Sequence, residues 1–190
     1  MVSTLWQNSQ FQLYLASVSF SGTAMAMQQL LITWLLVGIM LLPAAQVGLL
    51  QALIGLPGIA LMLWGGAVAD RSDPRSLLIQ VYSLAWMFPI GLFTALQFEL
   101  LNVWSVGTFG LAMSTAIAYA SPSQQAILNR IAGGEVQRGV TLSTIASFVV
   151  QIVGLSISGQ MEKVGVDAVL TIQSTSLILA AFAVRQLTPA

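Results

Sequence analysis

The sequence predicts an all-α membrane protein with six transmembrane helices, and three observations support this fold class. Charged residues make up 6% of the 190-residue chain, against roughly 25% in a soluble domain. Hydrophobic residues make up 57%, and the mean hydropathy is +0.88. Six segments are each long and apolar enough to span a bilayer, which takes about 20 residues of helix. A soluble fold of this composition could not cover its surface with polar groups.

Short polar breaks separate most of the predicted helices. Pro43 ends the first helical hairpin, and Asp73 followed by Pro74 predicts an N-cap and a first helical residue for helix 3. Glu99 lies in the turn before helix 4, and Gly165 precedes helix 6. The predicted spans are 12–38, 45–69, 76–98, 102–121, 138–160 and 166–185.

A longer break is predicted between helices 4 and 5. We expect Ser121-Pro122 to end helix 4, because proline disrupts helices, and we expect residues 121–137 to form a loop. That loop has the pattern of a short amphipathic helix at the membrane interface, with Ile127 and Leu128 towards lipid. The chain as a whole, 1–190, is predicted to be one six-helix transmembrane domain.

The distribution of basic residues predicts the orientation, because Lys and Arg concentrate in cytoplasmic loops. Lys163 falls on one side of the six helices. All the other basic residues fall on the opposite side: Arg71, Arg75, Arg130, Arg138 and Arg185. This bias predicts cytoplasmic loops at 70–75 and 121–137 and two cytoplasmic termini. The first ten residues contain no Lys or Arg, so the first apolar segment is predicted to be a retained helix rather than a secretory signal.

The composition argues against several other classes of protein. The chain has no Cys and no His, so it offers no thiolate metal site, no cysteine nucleophile and no imidazole base. No paired carboxylates lie within the predicted spans, and we expect no enzymatic activity, no metal site and no cofactor. The net charge is zero, which gives no electrostatic footprint for nucleic acid.

Polar side chains form stripes on three of the predicted helices, within about 40° of one another on helices 1 and 4 at the helical period, with a similar stripe on helix 5. On helix 1 they are Ser17, Ser21 and Gln28. On helix 4 they are Thr108, Thr115 and Tyr119, and on helix 5 they are Thr144, Ser147, Gln151 and Ser158. Such stripes have two interpretations, hydrogen bonding between helices or the lining of a water-filled cavity. On helices 1 and 4 we name them as candidate cavity-lining residues.

The loop between helices 2 and 3 carries the densest charge in the chain, with Asp70, Arg71, Asp73 and Arg75 inside the stretch GGAVADRSDPRSLL. The spacing Gly66-x-x-x-Asp70-Arg71-x-x-x-Arg75 resembles the signature loop of the major facilitator superfamily, G-x-x-x-D-R-x-G-x-R-R/K, at the same place among the helices. Asp73 stands in place of the pattern's second glycine, and Ser76 replaces its last basic residue. The D-R-x-D variant and the stretches near 11–14, 121–128 and 154–159 resemble the branch of enterobactin exporters and macrolide-efflux proteins.

This resemblance implies a secondary active exporter that moves a small amphipathic molecule by alternating access, in a bacterial inner membrane. In the family, the loop residues form a charge network that latches one state, so Gly66, Asp70, Arg71, Asp73 and Arg75 are candidate latch residues. The implied partners are the lipid bilayer, an unidentified small substrate and protons.

Family members have twelve helices in two halves with the substrate between them, so six helices imply half of that fold. The chain is then expected to be a fragment that lacks a C-terminal half, or to pair with a separate half or with a second copy of itself. The alternative function is a non-transporting membrane scaffold or a truncated remnant.

Overall fold

The computed structural model describes the backbone of residues 3–71 and 73–188, with the side chains of 5–56, 58–61 and 73–188. Within these residues there is no strand, and six long helical segments follow one another. They are α1 (Ser9–Trp34, continued by a π-helical turn, Leu35–Ile39), α2 (Ala44–Arg71), α3 (Pro74–Ala85 and Met87–Gln97), α4 (Val103–Ala132), α5 (Val136–Ser158) and α6 (Val166–Arg185).

The helices are those of a membrane protein, which confirms the predicted class. Five stretches of the described chain are long and apolar enough to cross a bilayer: Ser9–Ile39, Ala44–Leu61, Pro74–Gln97, Val103–Ser158 and Val166–Arg185. The fourth contains 56 residues and holds both α4 and α5, which are separated by a 3-10 turn at Gly133–Glu135. Gly133 has φ +52°, a left-handed conformation that glycine adopts without a steric penalty.

Helix α1 forms the centre of the bundle and packs against α4, α5 and α6. Its side chains Phe11, Met27 and Leu31 have no exposed surface. Apolar side chains are distributed around the whole helix rather than along one face, as expected of a helix that packs against several others. Helix α2 packs on α4, and α3 packs on α4 and α6.

Contacts along α1 show that α5 runs parallel to it. The Ser158 hydroxyl donates to the carbonyl of Met27 at 3.5 Å, and Gly154 lies against Thr23. Near the start of both helices, Gly139 lies close to Phe11. The Gly154 contact is the tightest of the three, because a Cβ atom there would lie 2.9 Å from the Thr23 carbonyl oxygen.

The start of α1 and the ends of α4 and α6 meet at one end of the bundle. The Thr188 N–H donates to Gln10 Oε1 at 2.8 Å, and Arg130 Nη2 donates to the Thr188 carbonyl at 3.4 Å. The start of α3 lies there as well, because Arg75 Nη2 donates to the Arg185 carbonyl at 2.6 Å. The basic residues predicted to share one side therefore lie at one end of the bundle wherever their side chains are described.

Helix α4 continues through Pro122 to Ala132, which differs from the expected loop at 121–137. Proline removes one N–H donor from the helix, and the adjacent turn is supported by the Ser123 hydroxyl, which donates to the Tyr119 carbonyl at 3.0 Å. Side chains in hydrocarbon can hold a proline-containing helix together in this way. Ile127 and Leu128 are each 1% exposed, so the apolar face of this segment packs into the bundle instead of facing lipid.

Helix α3 is interrupted at Trp86, between its two helical parts. Pro89 has no N–H to donate to the carbonyl four residues earlier, which loosens the helix at this point. The Ser174 hydroxyl of α6 donates to the Trp86 carbonyl at 3.1 Å. This bond supplies a partner to the interrupted backbone from a neighbouring helix.

We expect Gly154→Ala to lower the free energy of unfolding by about 1–3 kcal/mol, the usual cost of overpacking. The added methyl group would meet the backbone of α1, which cannot rotate away. The matched control is Gly107→Ala in α4, where a Cβ atom would meet nothing within 4 Å; this change should be neutral or slightly stabilising. Unfolding in detergent measures both variants, and equal stability of the two would contradict the close approach of α1 and α5.

Candidate functional site

A polar cavity of about 250 Å³ lies between α1, α4 and α5. Tyr14 and Val18 of α1 form one wall. The other lining residues are Gln124, Gln125 and Leu128 of α4 and Val140, Ser143, Thr144, Ser147, Phe148 and Gln151 of α5. Amides, hydroxyls and a phenol thus alternate with aliphatic and aromatic surface, a mixture suited to a ligand with polar and apolar parts.

Gln124 connects this cavity to the buried interior. Its Nε2 atom lies 2.6 Å from the Tyr82 hydroxyl and 3.2 Å from the Ser21 hydroxyl, and it can donate one hydrogen to each. Tyr82 has no exposed surface, so its hydroxyl depends on this partner inside the bundle. One amide therefore ties together α1, α3 and α4 beside the cavity.

The candidate residues of α1 are buried in the bundle, and none of them lines the polar cavity. Ser21 is 1% exposed and takes part in the Gln124 cluster. Ser17 is 2% and Gln28 is 6% exposed. Among the described residues, the Ser17 hydroxyl and Gln28 Oε1 have no hydrogen-bond partner.

The candidate residues of α4 lie apart from the polar cavity. Thr108 is exposed and donates to the carbonyl of Trp104 in its own helix at 2.7 Å. Thr115 and Tyr119 line a different, mainly apolar cavity of about 280 Å³ between α3 and α4. The polar stripe of α4 is therefore divided between the surface and that second cavity.

The stripe on α5 corresponds best to the cavity, since Thr144, Ser147 and Gln151 all line it. Ser158 lies further along the helix and bonds to α1 instead. This stripe was noted in the sequence, but Gln124 was not named as a candidate, because Pro122 suggested that helix 4 had already ended. The amphipathic pattern of 123–132 was the available signal that the helix continues.

The described latch candidates have local structural partners. Asp73 Oδ2 accepts from the Ser76 N–H at 2.9 Å and so caps α3 as predicted. Arg75 binds the C-terminal carbonyl of α6, where a cation is favourable to the helix dipole. Gly66, Asp70 and Arg71 have side-chain positions outside the described residues, so the latch remains a prediction. No cluster of three potential metal-ligating side chains occurs in the described part of the chain.

These features define an integral membrane protein, a bundle of apolar helices with a polar cavity inside it. The family model described as transmembrane secretion effector matches residues 3–190. The chain therefore belongs to this family, and the predicted relationship to the major facilitator superfamily is confirmed. Membership indicates a transporter rather than an enzyme. No curated protein and no solved structure gives a significant match. The narrower resemblance to enterobactin exporters and macrolide-efflux proteins stays a prediction.

We expect Gln124→Ala and Tyr82→Phe to be energetically coupled, because each removes one end of the same buried hydrogen bond. A double-mutant cycle should give a coupling free energy of about 1 kcal/mol, within the range found for hydrogen bonds between membrane helices. The measurement is unfolding in detergent. Pairing Gln124→Ala with Thr108→Val should give additive effects, since Thr108 is exposed and bonds within its own helix. Additivity of the Gln124 and Tyr82 variants would contradict the cluster.

Proposed function

We propose that this protein is part of a secondary active exporter that moves a small amphipathic molecule across a bacterial inner membrane by alternating access. The observation that carries the proposal is the polar cavity among α1, α4 and α5 in a member of a transporter family. Its lining combines the hydrogen-bonding groups of Gln124, Ser147 and Gln151 with the apolar surfaces of Val18 and Phe148. A molecule with one polar and one apolar region would find partners for both.

The exposed side of the cavity supports a second helical unit as a partner. Thr144 and Gln151 are exposed in the isolated chain, and an amide facing hydrocarbon is energetically costly. The cavity, at about 250 Å³, is also slightly smaller than most sites for drug-sized ligands. A C-terminal six-helix half or a second copy of the chain would cover these polar groups and complete the enclosure.

Rocking of the two units would expose the cavity to each side in turn. The proposed latch is the last turns of α2, with Gly66, Asp70 and Arg71, together with the loop to α3, at the end of the bundle that holds the described arginines. The same clustering of arginines supports placing this end and both termini in the cytoplasm. We propose protons as the coupling ion, which an uncoupler that dissipates the proton gradient would test.

Filling the cavity should block transport. We expect Ser147→Trp to reduce export at least about tenfold, because the indole would occupy much of the space between α1 and α5. Ser156→Trp is the matched control, since Ser156 lies on the same helix and is exposed. The assay follows rhodamine 6G and labelled erythromycin in an efflux-deficient bacterial host expressing the chain with and without a separately encoded C-terminal half. Equal export by the two tryptophan variants would contradict the proposal that the substrate passes through this cavity. If the wild-type protein exported none of a broad panel of amphipathic probes, the proposal that it is an exporter would itself be contradicted.

The latch proposal predicts that Asp70→Asn impairs export while membrane insertion and protein level stay normal. The change removes the charge that would pair across the loop network and leaves the side chain's size nearly unchanged. Glu99→Gln is the control, because it also removes one carboxylate, from an exposed turn next to α4. Wild-type transport by the Asp70 variant would remove this residue from the latch.

A further inference from the structure

A groove lies between α3 and α6 and shares no lining residue with the polar cavity. It has a volume of about 320 Å³, and its lining residues are Ser83, Trp86, Ile178, Ala181, Phe182 and Arg185. Phe182 is 60% exposed, which places an aromatic face at the outer surface of the bundle. The groove is thus an apolar channel on the membrane-facing side with one guanidinium in its wall.

The Arg185 side chain extends back along the bundle from the end of α6. Its Nη2 atom donates to the Ser83 hydroxyl at 3.4 Å, and Ser83 lies more than two turns into α3 from Pro74. Side chains on a helix lean towards its N-terminus, which for α6 means towards the middle of the membrane. The guanidinium therefore lies in the groove. Arginines near the ends of membrane helices more often extend towards water instead.

No described carboxylate neutralises this charge. Arg75 places a second guanidinium at the C-terminal end of α6, because its Nη2 donates to the Arg185 carbonyl at 2.6 Å. Within the described part of the chain, the Nε atom of Arg75 is buried and has no hydrogen-bond partner. Among the described residues, the ion pair at this end of the bundle joins Arg138 to Glu135, and neither Arg75 nor Arg185 makes one. Two cations beside hydrocarbon favour an anion.

We propose that this groove binds an anionic phospholipid, with the phosphate against Arg185 and Arg75 and an acyl chain along Trp86, Ile178 and Phe182. A phospholipid fits better than a soluble anion because it supplies both the negative charge and the apolar chain that the groove accommodates. Basic pockets between transmembrane helices bind lipid headgroups by the same chemistry. The bound lipid would hold α3 to α6 beside the end of the α2–α3 loop. This site is separate from the proposed transport cavity.

The test compares binding of phosphatidylglycerol and phosphatidylcholine to the purified full chain by native mass spectrometry. The wild-type protein should prefer phosphatidylglycerol, and Arg185→Gln should reduce that preference about fivefold, the effect of one arginine at a charged membrane surface. Arg130→Gln is the matched control, because Arg130 lies at the same end of the bundle outside the groove and bonds to the Thr188 carbonyl. That variant should change the preference less than about twofold, well below the effect of one arginine at the surface.

Ser83→Asp provides a second test that retains both arginines. The new carboxylate would lie next to Arg185 and compete with the lipid phosphate, so the preference for phosphatidylglycerol should fall as it does in Arg185→Gln. Equal losses in Arg185→Gln and Arg130→Gln would overturn the site in favour of a diffuse surface charge. Absence of a lipid preference in the wild-type protein, or displacement of the lipid by millimolar inorganic phosphate, would overturn it as well.

Discussion

The structure depends on one constraint, that polar groups inside a bilayer must find partners within the protein. The backbone interruption at Trp86 is met by Ser174 from another helix, and the turn after Pro122 is supported by Ser123. Gln173 reaches across from α6 to the carbonyl of Ala24 at 3.0 Å. The bonds of Ser174 and Gln173 join helices that are distant in sequence, so the bundle is held by polar contacts as well as by the fit of its apolar side chains.

The same constraint separates the polar groups around the cavity into those that hold the helices together and those that face the open space. Gln124 donates hydrogen bonds to Tyr82 and Ser21 inside the bundle, and it also lines the cavity. The inner contacts are structural and fix the position of α4 against α1 and α3. The polar groups of α5 that face the same space, such as Ser147 and Gln151, are the ones whose hydrogen-bonding capacity remains available to a ligand or a second helical unit. Helix packing and cavity lining, the two interpretations of the polar stripes, therefore apply to different residues of one site.

Much of the fold could be predicted from the sequence, because length and apolarity alone identify membrane-spanning helices. The predicted cap at Asp73 and the border of α6 at Gly165 follow from local chemistry and agree with the structure. The course of α4 beyond Pro122 could not be predicted in the same way, because a proline breaks some helices and is tolerated in others according to its neighbours. Tertiary contacts decided this case, since Ile127 and Leu128 are buried against the bundle. The partners of Gln124 were hidden for the same reason, because they come from helices about 40 and 100 positions away.

The parallel pairing of α1 with α5 has a consequence for how the bundle assembles while the protein is synthesised. Helix α1 leaves the ribosome before two of its main neighbours, α5 and α6, with which it packs. Until α5 and α6 are inserted, Ser17 and Gln28 are not yet buried by neighbouring helices. The Gln28 amide is unfavourable in contact with lipid. Helix α1 must therefore stay beside the insertion machinery or contact a temporary partner, and the bundle can close around it only after α6 has been synthesised.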